Sequence, residues 1–182
     1  MDRTDAELME RWRRGDVGAF ETLVRRWQQP IARALARLAG PDRAADLCQE
    51  VFLRLYQAGP RYQESGAFAT WLYRIALNAA RDAHRRRREL AHLGDHEPLD
   101  NDAPADAVCR RESVEVVARL VAELPEPQRE VLVLHHHEKL NFEVISRLTG
   151  TPPSTLKSRF GAALARLRER LKQLGWGPEE EA

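Results

Sequence analysis

Two basic segments of the sequence carry residue types that bind nucleic acid. Residues 81–88 hold five arginines and one acid, and residues 157–172 hold six lysines and arginines and one acid. Cationic side chains bind phosphate oxygens, and short polar side chains beside them can reach base edges in a groove of DNA. Both kinds stand near the start of the second segment: Thr155, Lys157, Ser158 and Arg159. The sequence has no phosphate loop and no nucleophile–base set, so an enzyme is the least expected class.

The second basic segment follows a helix-turn-helix pattern. Apolar residues at helical spacing run to Leu148, residues 150–153 (Gly-Thr-Pro-Pro) interrupt them, and helical spacing then resumes. Asn141 is expected to cap the first helix, Gly150 to end it, and Ser154 to cap the second. A turn this short makes the helices cross steeply and lets the second one project its outer face. The pattern fits DNA binding and an ordinary helical hairpin with a solvated basic face equally well.

The first basic segment ends a helix that has two different faces. Its apolar stripe includes Trp71 and Ile75, and a polar stripe lies about 120° away at 100° per residue. The polar stripe could follow a phosphate backbone, although a solvated helix end would also explain its arginines. Asn78 could pair with a base edge, while Tyr62 and Phe68 could stack on an unpaired base or pack in the core. The polar stripe consists of Arg74, Asn78, Arg81, Arg85 and Arg88.

A third candidate surface lies on the helix that follows residues 40–41 (Gly-Pro). Asp46, Gln49, Glu50 and Leu53 share one face of it, at spacings suited to helical neighbours. A polar and acidic face with one leucine could dock a protein partner. Most such faces are only solvated, so the pattern alone leaves both interpretations open.

Histidines 135–137 and two cysteines, Cys48 and Cys109, raise the alternative of a metal or redox sensor. Consecutive side chains on a helix point about 100° apart, so the three histidines cannot converge on one ion. Two cysteines do not make a disulfide framework. We therefore expect no metal and no cofactor. A second alternative is a dimeric helix-turn-helix regulator of duplex DNA, which needs neither the docking face nor a strand-trapping loop.

Helical periodicity extends through most of the chain, and no segment shows strand alternation or hairpin-turn residues. Pro30 is expected to kink or split the second helix. Side-chain caps are predicted at Thr4, Asp16, Asp42 and Ser65.

An acidic stretch separates the two basic segments. Residues 89–109 hold six acids and no lysine or arginine, and residues 93–104 lack helical periodicity. We therefore expect an all-α protein of two small helical domains joined by an acidic flexible linker. No run of 18 or more apolar residues and no signal-peptide pattern is present, which favours a cytoplasmic location.

Five stretches of the sequence occur in an order and spacing typical of one family: ERWRRGDVGAFETLVRRW (10–27), DRAADLCQEVFLRLYQA (42–58), FATWLYRIALNAARD (68–82), LPEPQREVLVL (124–134) and TPPSTLKSRFGAALARLRERL (151–171). On these stretches the chain resembles a group IV, or extracytoplasmic-function, sigma factor of bacterial RNA polymerase, a branch of the sigma-70 family. The resemblance implies a sigma-2 helical bundle over residues 1–90, a linker over 91–107, a sigma-4 helix-turn-helix domain over 108–175 and a tail over 176–182.

The resemblance also implies roles for the candidate surfaces. The chain would bind core RNA polymerase through the β′ clamp helices and the β flap, and would direct promoter-specific initiation with melting of the minus-ten element. A cognate anti-sigma factor is a further expected partner, and no membrane insertion is expected. The residues implied are Asp46, Gln49, Glu50 and Leu53 for polymerase; Tyr62, Ser65, Phe68, Asn78, Arg81 and Arg85 for the minus-ten element; and Ser154, Thr155, Lys157, Ser158 and Arg159 for the minus-35 element.

Some positions depart from the family pattern. Thr149 and Thr151 occupy helix-turn-helix positions that are usually apolar, so looser packing or an altered seat on DNA is expected. Ser154 replaces a usual glycine and is still expected to cap its helix. Histidines 135–137 stand where the family more often has a charged stretch.

Overall fold

A computed structural model of the chain describes residues 4–59, 68–92 and 110–176. All regular elements in these ranges are helical, which confirms the all-α prediction, and none of these helices is both long and apolar enough to cross a membrane. The predictions for Tyr62, Ser65, Cys109 and the acidic linker lie outside the described residues. The elements are α1 (Asp5–Arg13), α2 (Val17–Ala39), α3 (Pro41–Ala58), α4 (Phe68–His92), α5 (Arg110–Ala122), α6 (Glu126–Leu132), a π-helical segment (Val133–His137), α7 (Phe142–Thr149) and α8 (Pro153–Gln173).

Two predicted side-chain caps start the first two helices. Thr4 and Glu7 form a complete capping box at α1. Asp16 accepts a hydrogen bond of 3.2 Å from the backbone N–H of Ala19 at the start of α2. Both contacts satisfy N–H groups that a helix leaves without an intrahelical partner.

Prolines produce two departures from the predicted helix ends. The helix α3 begins at Pro41, directly after Gly40 with its φ of 103°, so Asp42 lies inside the first turn and the predicted Asp42 cap is wrong. Proline suits this first position because the missing N–H has no helical partner there. Pro30 does not split α2, which continues on both sides of it. Packing of α2 against α3 and α4 stabilises the helix across the lost hydrogen bond.

Helices α1–α4 form the N-terminal unit. The helix α2 packs against α1, α3 and α4. Leu23, Ile31 and Leu35 of α2 have no solvent exposure, and burying one such side chain contributes about 1.5–3 kcal/mol. Asp5 of α1 forms a 2.6 Å ion pair with Arg26 of α2. This unit therefore has its own core. One face of α3 and part of α4 lie outside that core and remain available to partners.

Helices α5–α8 form the C-terminal unit together with the π-helical segment. The helix α8 packs against α6 and α7 through Leu156 and Ala163, which are 2% and 0% exposed. Farther along α8 the inner position is taken by Ala163, while its neighbour Leu164 is 40% exposed. The basic outer face of α8 points away from this core.

One hydrophobic cluster extends across both units. On α4 it includes Tyr73, Ala76, Leu77 and Ala80, which lie beside the predicted apolar stripe. The helix α4 packs against α7 of the other unit as well as against α2 and α3. The two units are therefore in direct contact, and α4 is the element that they share.

Candidate nucleic-acid interface

The turn between α7 and α8 has helix-turn-helix geometry. Asn141 caps α7 as predicted, and its Oδ1 accepts a 2.8 Å hydrogen bond from the backbone N–H of Val144. Gly150 ends α7 in the left-handed conformation, with φ 70° and ψ 11°. The predicted Ser154 cap is wrong, because α8 already begins at Pro153 and Pro152 is the N-cap residue. Ser154 lies exposed in the first turn of α8, where it remains available to a partner.

The two threonines of the turn are joined by hydrogen bonds. The Thr149 hydroxyl donates to the carbonyl of Ile145 at 2.9 Å and accepts from the backbone N–H of Thr151 at 3.2 Å. Each hydrogen bond of this kind contributes about 0.5–1.5 kcal/mol. The expected loosening is therefore offset by polar contacts that fix the end of α7 to the start of the turn.

The first turns of α8 present cationic groups to solvent. Leu156 anchors the helix in the core, Lys157 and Ser158 are exposed, and Thr155 and Arg159 are partly exposed. Lys157 and Arg159 form no ion pair with any residue in the described ranges. The Lys157 ammonium lies 6.0 Å from the ring centroid of Phe142, which restrains its long side chain. Unpaired cations at an exposed helix N-terminus suit phosphate oxygens and base edges.

His135 positions α7 against α8, a role that the sequence pattern did not indicate. Its ring stacks on Phe142 with centroids 4.2 Å apart and meets the ring of Phe160 at 4.9 Å in an edge-on contact. Its Nδ1 hydrogen-bonds with the carbonyl of Leu140 at 2.8 Å. This histidine is therefore packed between the two helices of the motif. Its contacts with Phe160 arise only in the folded chain, so the sequence pattern could not indicate them.

The other two histidines of the run, His136 and His137, lie beside each other. His136 and His137 have ring centroids 5.0 Å apart. Partial burial and the nearby charge of Arg37 lower the pKa of His137 to about 4. Within the described residues no group of three or more histidine, cysteine, aspartate or glutamate side chains could hold a metal ion. Burial raises the pKa of the Cys48 thiol, which keeps that cysteine in its less reactive protonated form.

The minus-ten candidates on α4 do not share one free surface. Asn78 is exposed, and exposed Arg85 holds a 3.2 Å ion pair with Asp82. Phe68 is 4% exposed, with its ring edge-on to that of Trp27 at a centroid distance of 6.0 Å. Phe68 therefore has the core position that the sequence left open, and a base-stacking role for it stays a prediction.

Arg81 is bound by the C-terminal unit. Its Nε and Nη2 donate to the two carboxylate oxygens of Glu130 at 2.6 and 2.7 Å. The hydrogen bonds to Glu130 raise the pKa of the Arg81 guanidinium, so Arg81 stays charged. The edge of Arg81 that would bind a phosphate is occupied in this arrangement.

The docking face on α3 is largely free. Asp46 and Gln49 are exposed, and Leu53 is 58% exposed. Glu50 accepts a hydrogen bond from Arg54 of the same helix at 2.5 Å and lies 3.5 Å from Arg86 of α4. Tyr56, which is 56% exposed, extends the same face, although the sequence pattern did not single it out. The structure thus combines two exposed apolar side chains with polar groups, as protein interfaces do.

Comparisons with known proteins match both units. The chain fits the family descriptions Sigma-70 region 2 over residues 23–89 and Sigma-70, region 4 over residues 115–167. It is 33% identical to the RNA polymerase sigma-H factor of Pseudomonas aeruginosa, covering 93% of this chain and 95% of that protein. It is 31% identical to the ECF RNA polymerase sigma-E factor of Haemophilus influenzae, covering 94% and 97%. Its fold is similar to that of the sigma factor RpoE of Bartonella quintana in complex with the anti-sigma factor NepR, with a TM-score of 0.74, 21% identity, and 84% and 96% of the two chains covered.

Proposed function

The chain belongs to the extracytoplasmic-function sigma factors of the sigma-70 family, and we propose that three of its surfaces divide the tasks of promoter recognition. As a sigma factor it binds core RNA polymerase and directs promoter-specific transcription initiation, and it is not an enzyme. Its family regions, residues 23–89 and 115–167, lie within the two helical units, which supports assigning the polymerase and DNA contacts to residues of these units.

The minus-35 element is assigned to the N-terminal turns of α8. The observation that carries this assignment is the pair of cations, Lys157 and Arg159, that lack an ion-pair partner in the described residues while Leu156 fixes the helix in the core. Ser154, Thr155 and Ser158 supply hydroxyls on the same turns. Such a helix end can enter a major groove, where the hydroxyls and Arg159 read bases and Lys157 binds phosphate.

The minus-ten element is assigned to α4 and the segment before it. The exposed Asn78 amide has the donor and acceptor that a base edge requires, and Arg81 and Arg85 supply phosphate contacts. Tyr62, Ser65 and Phe68 complete the proposed pocket for a flipped base. Capture of the base would offset an unstacking cost of a few kcal/mol.

Core polymerase is assigned to the exposed face of α3. Asp46 and Gln49 are free to contact a partner, and Leu53 supplies an apolar centre. Glu50 would have to exchange its contacts with Arg54 and Arg86 for contacts with the polymerase. The β′ clamp helices are the proposed partner of this face, and the β flap that of the C-terminal unit.

The remaining assignments concern the whole chain. We assign residues 1–90 to the sigma-2 domain, 91–107 to the linker, 108–175 to the sigma-4 domain and 176–182 to the tail. The family regions, residues 23–89 and 115–167, lie inside the two proposed domains and support this division. An anti-sigma factor is proposed as a partner because the structurally similar RpoE was solved with one. A cytoplasmic location follows from the need to meet core polymerase.

Run-off transcription tests these assignments. Purified core polymerase, the full chain and fragmented DNA of the source genome should give protein-dependent transcripts whose start sites share upstream elements. On such a promoter, Arg159→Ala should reduce minus-35-dependent transcription by about tenfold or more, since a lost base contact costs about 1–3 kcal/mol. Lys172→Ala, an exposed cation in the last turn of α8, is the matched control and should leave transcription unchanged. Equal losses in the two variants would contradict the assignment of the minus-35 element.

A further inference from the structure

A cavity of about 340 Å³ lies where the last turns of α4 meet the corner between α5 and α6. The helix α4 contributes His84, Arg87 and Arg88, whose spacings of three and four residues place them on one face. Leu124 and Pro125 of the corner form an apolar part of the wall. Small-molecule sites in proteins have volumes of about 300–1,000 Å³, so this cavity is large enough for a small ligand.

The charges around the cavity do not balance. Three of the lining side chains are guanidinium groups, those of Arg87, Arg88 and Arg129, and Glu126 supplies the one carboxylate among the described lining residues. Arg88 lies 3.8 Å from Glu126, whereas exposed Arg87 forms no ion pair within the described ranges. Glu130, a second acid near Arg129, already binds an arginine of α4 through both of its oxygens. The cavity wall therefore favours an anion.

Arg129 is the buried cation of this group. It is 8% exposed, and its Nη1 donates to the carbonyl of Ala122 at 2.7 Å. Its Nε is buried and has no hydrogen-bond partner in the part of the chain that the structure describes. Burial lowers the pKa of the Arg129 guanidinium, which shows that its charge lacks full compensation. Buried charges in proteins are normally paired, so an anion beside Arg129 would be stabilising.

His84 cannot satisfy its two neighbours at once. Its Nε2 lies 2.8 Å from Nη2 of Arg129 and 2.9 Å from the carbonyl of Leu38. Nη2 can only donate and the carbonyl can only accept, whereas Nε2 holds either a hydrogen or a free lone pair. One of the two contacts is therefore always unsatisfied. An additional acceptor beside Arg129 removes the conflict, because Nε2 can then donate to Leu38.

We propose that this cavity binds a small phosphate monoester, a site that goes beyond the promoter and polymerase contacts. Its phosphate would meet the guanidinium groups of Arg87, Arg88 and Arg129, which suit phosphate oxygens, and its organic part would lie on Leu124 and Pro125. A phosphate monoester carries a charge of about −1.5 to −2 at pH 7, close to the excess of three guanidinium groups over one carboxylate. A DNA phosphate carries a single charge and belongs to a chain that cannot enter so small a cavity.

Titration calorimetry of the full chain in phosphate-free buffer tests this site, with phenyl phosphate as the probe. Phenyl phosphate should bind with a dissociation constant below about 1 mM. Inorganic phosphate lacks the ring and should bind several-fold more weakly, and phenol lacks the phosphate and should not bind. Arg87→Gln and Arg88→Gln, both at exposed positions, should each raise the dissociation constant of phenyl phosphate about tenfold or more, because each removes a hydrogen bond between charged groups. Circular dichroism should show that both variants keep the helical content of the wild type.

Arg86→Gln is the matched control, because it removes the same charge from the neighbouring position. The Arg86 guanidinium does not line the cavity and lies 3.5 Å from Glu50 of α3, so this variant should leave the dissociation constant unchanged. Equal losses in Arg86→Gln and Arg87→Gln would show that the probe responds only to overall charge, which overturns the proposal. Absence of saturable heat up to about 10 mM phenyl phosphate would overturn it as well.

A competition experiment separates the two sources of phosphate. A single-stranded oligonucleotide is added to the chain saturated with phenyl phosphate, and displacement of the probe is followed by ³¹P NMR. The probe should stay bound, since the cavity excludes a nucleic-acid chain. Displacement that Arg87→Gln abolishes would identify DNA phosphate as the occupant and would refute the assignment to a small molecule.

Discussion

Replacing Gly59 with alanine should destabilise the N-terminal unit, although its backbone conformation favours alanine. Gly59 follows the last residue of α3 with φ −53° and ψ −41°, which are helical values. Where space is available, glycine to alanine at such a position contributes about 0.5–1 kcal/mol of stability. The sign of the effect therefore depends on what the new methyl group meets.

A methyl group at position 59 would collide with the indole of Trp12. Its carbon would lie 1.7 Å from Cζ3 and 1.8 Å from Cη2 of that ring, about half of an ordinary contact distance. The indole cannot move away without disturbing Phe20 and Tyr56, whose ring centroids lie 4.7 and 5.6 Å from it. Overpacking costs about 1–3 kcal/mol and a disturbed aromatic pair about 0.5–1.5 kcal/mol. After subtraction of the helical gain, the expected loss is about 0.5–4 kcal/mol, with a midpoint of about 2 kcal/mol.

Urea unfolding of the full chain, followed by tryptophan fluorescence, measures this loss as a lower midpoint. Gly161→Ala is the matched control, because Gly161 is exposed inside α8 and a methyl group there meets no atom within 4 Å. That variant should be more stable by about 0.5–1 kcal/mol. An unchanged or higher midpoint for Gly59→Ala would refute the steric argument.

Three further predictions concern binding and pH. Asn78→Ala should reduce the permanganate reactivity of thymines in an opened promoter more than it weakens duplex binding, and equal losses would remove its assigned role. Asp46→Ala combined with Leu53→Ala should weaken binding to core polymerase in the absence of DNA by about 1–3 kcal/mol, as measured by titration calorimetry; an unchanged affinity would exclude α3 as the docking face. Because the pKa of His137 is lowered to about 4 in the folded chain, unfolding takes up a proton and stability should fall as pH decreases from about 6.5 towards 4. Since His137 is exposed, solvent screening should limit this loss of stability to about 1 kcal/mol. The variant His137→Gln should show a weaker dependence of the urea midpoint on pH. If the variant's midpoint depends on pH as steeply as that of the wild type, other titratable groups cause the dependence.

Local chemistry made several helix ends predictable from the sequence. Thr4, Asp16 and Asn141 act on N–H groups two or three residues away, and Gly150 needs only its own backbone freedom. The wrong assignments have an equally local cause. At Ser154 a preceding proline takes the first helical position, so the helix begins before the residue that resembles a cap.

The contact between the units was not predictable in the same way. The period of α4 correctly indicated one buried face, but Tyr73 and Leu77 are buried as well, and α4 also packs against α7, which is distant in sequence. Glu130 looked like one acid among many, because its partner Arg81 lies 49 residues earlier. Sequence periodicity reports that a face is apolar or charged, and only the tertiary arrangement determines which residue meets it.

The covalent connection between the units affects how partners bind them. His92 ends α4 and Arg110 begins α5, so residues 93–109, seventeen in all, join the two units. A chain of that length reaches at most roughly 60 Å. Because the units belong to one chain, dilution of the protein does not separate them, and a partner that has bound one unit meets the other at a concentration set by that reach. A polymerase that contacts both units therefore gains from the second contact at any expression level.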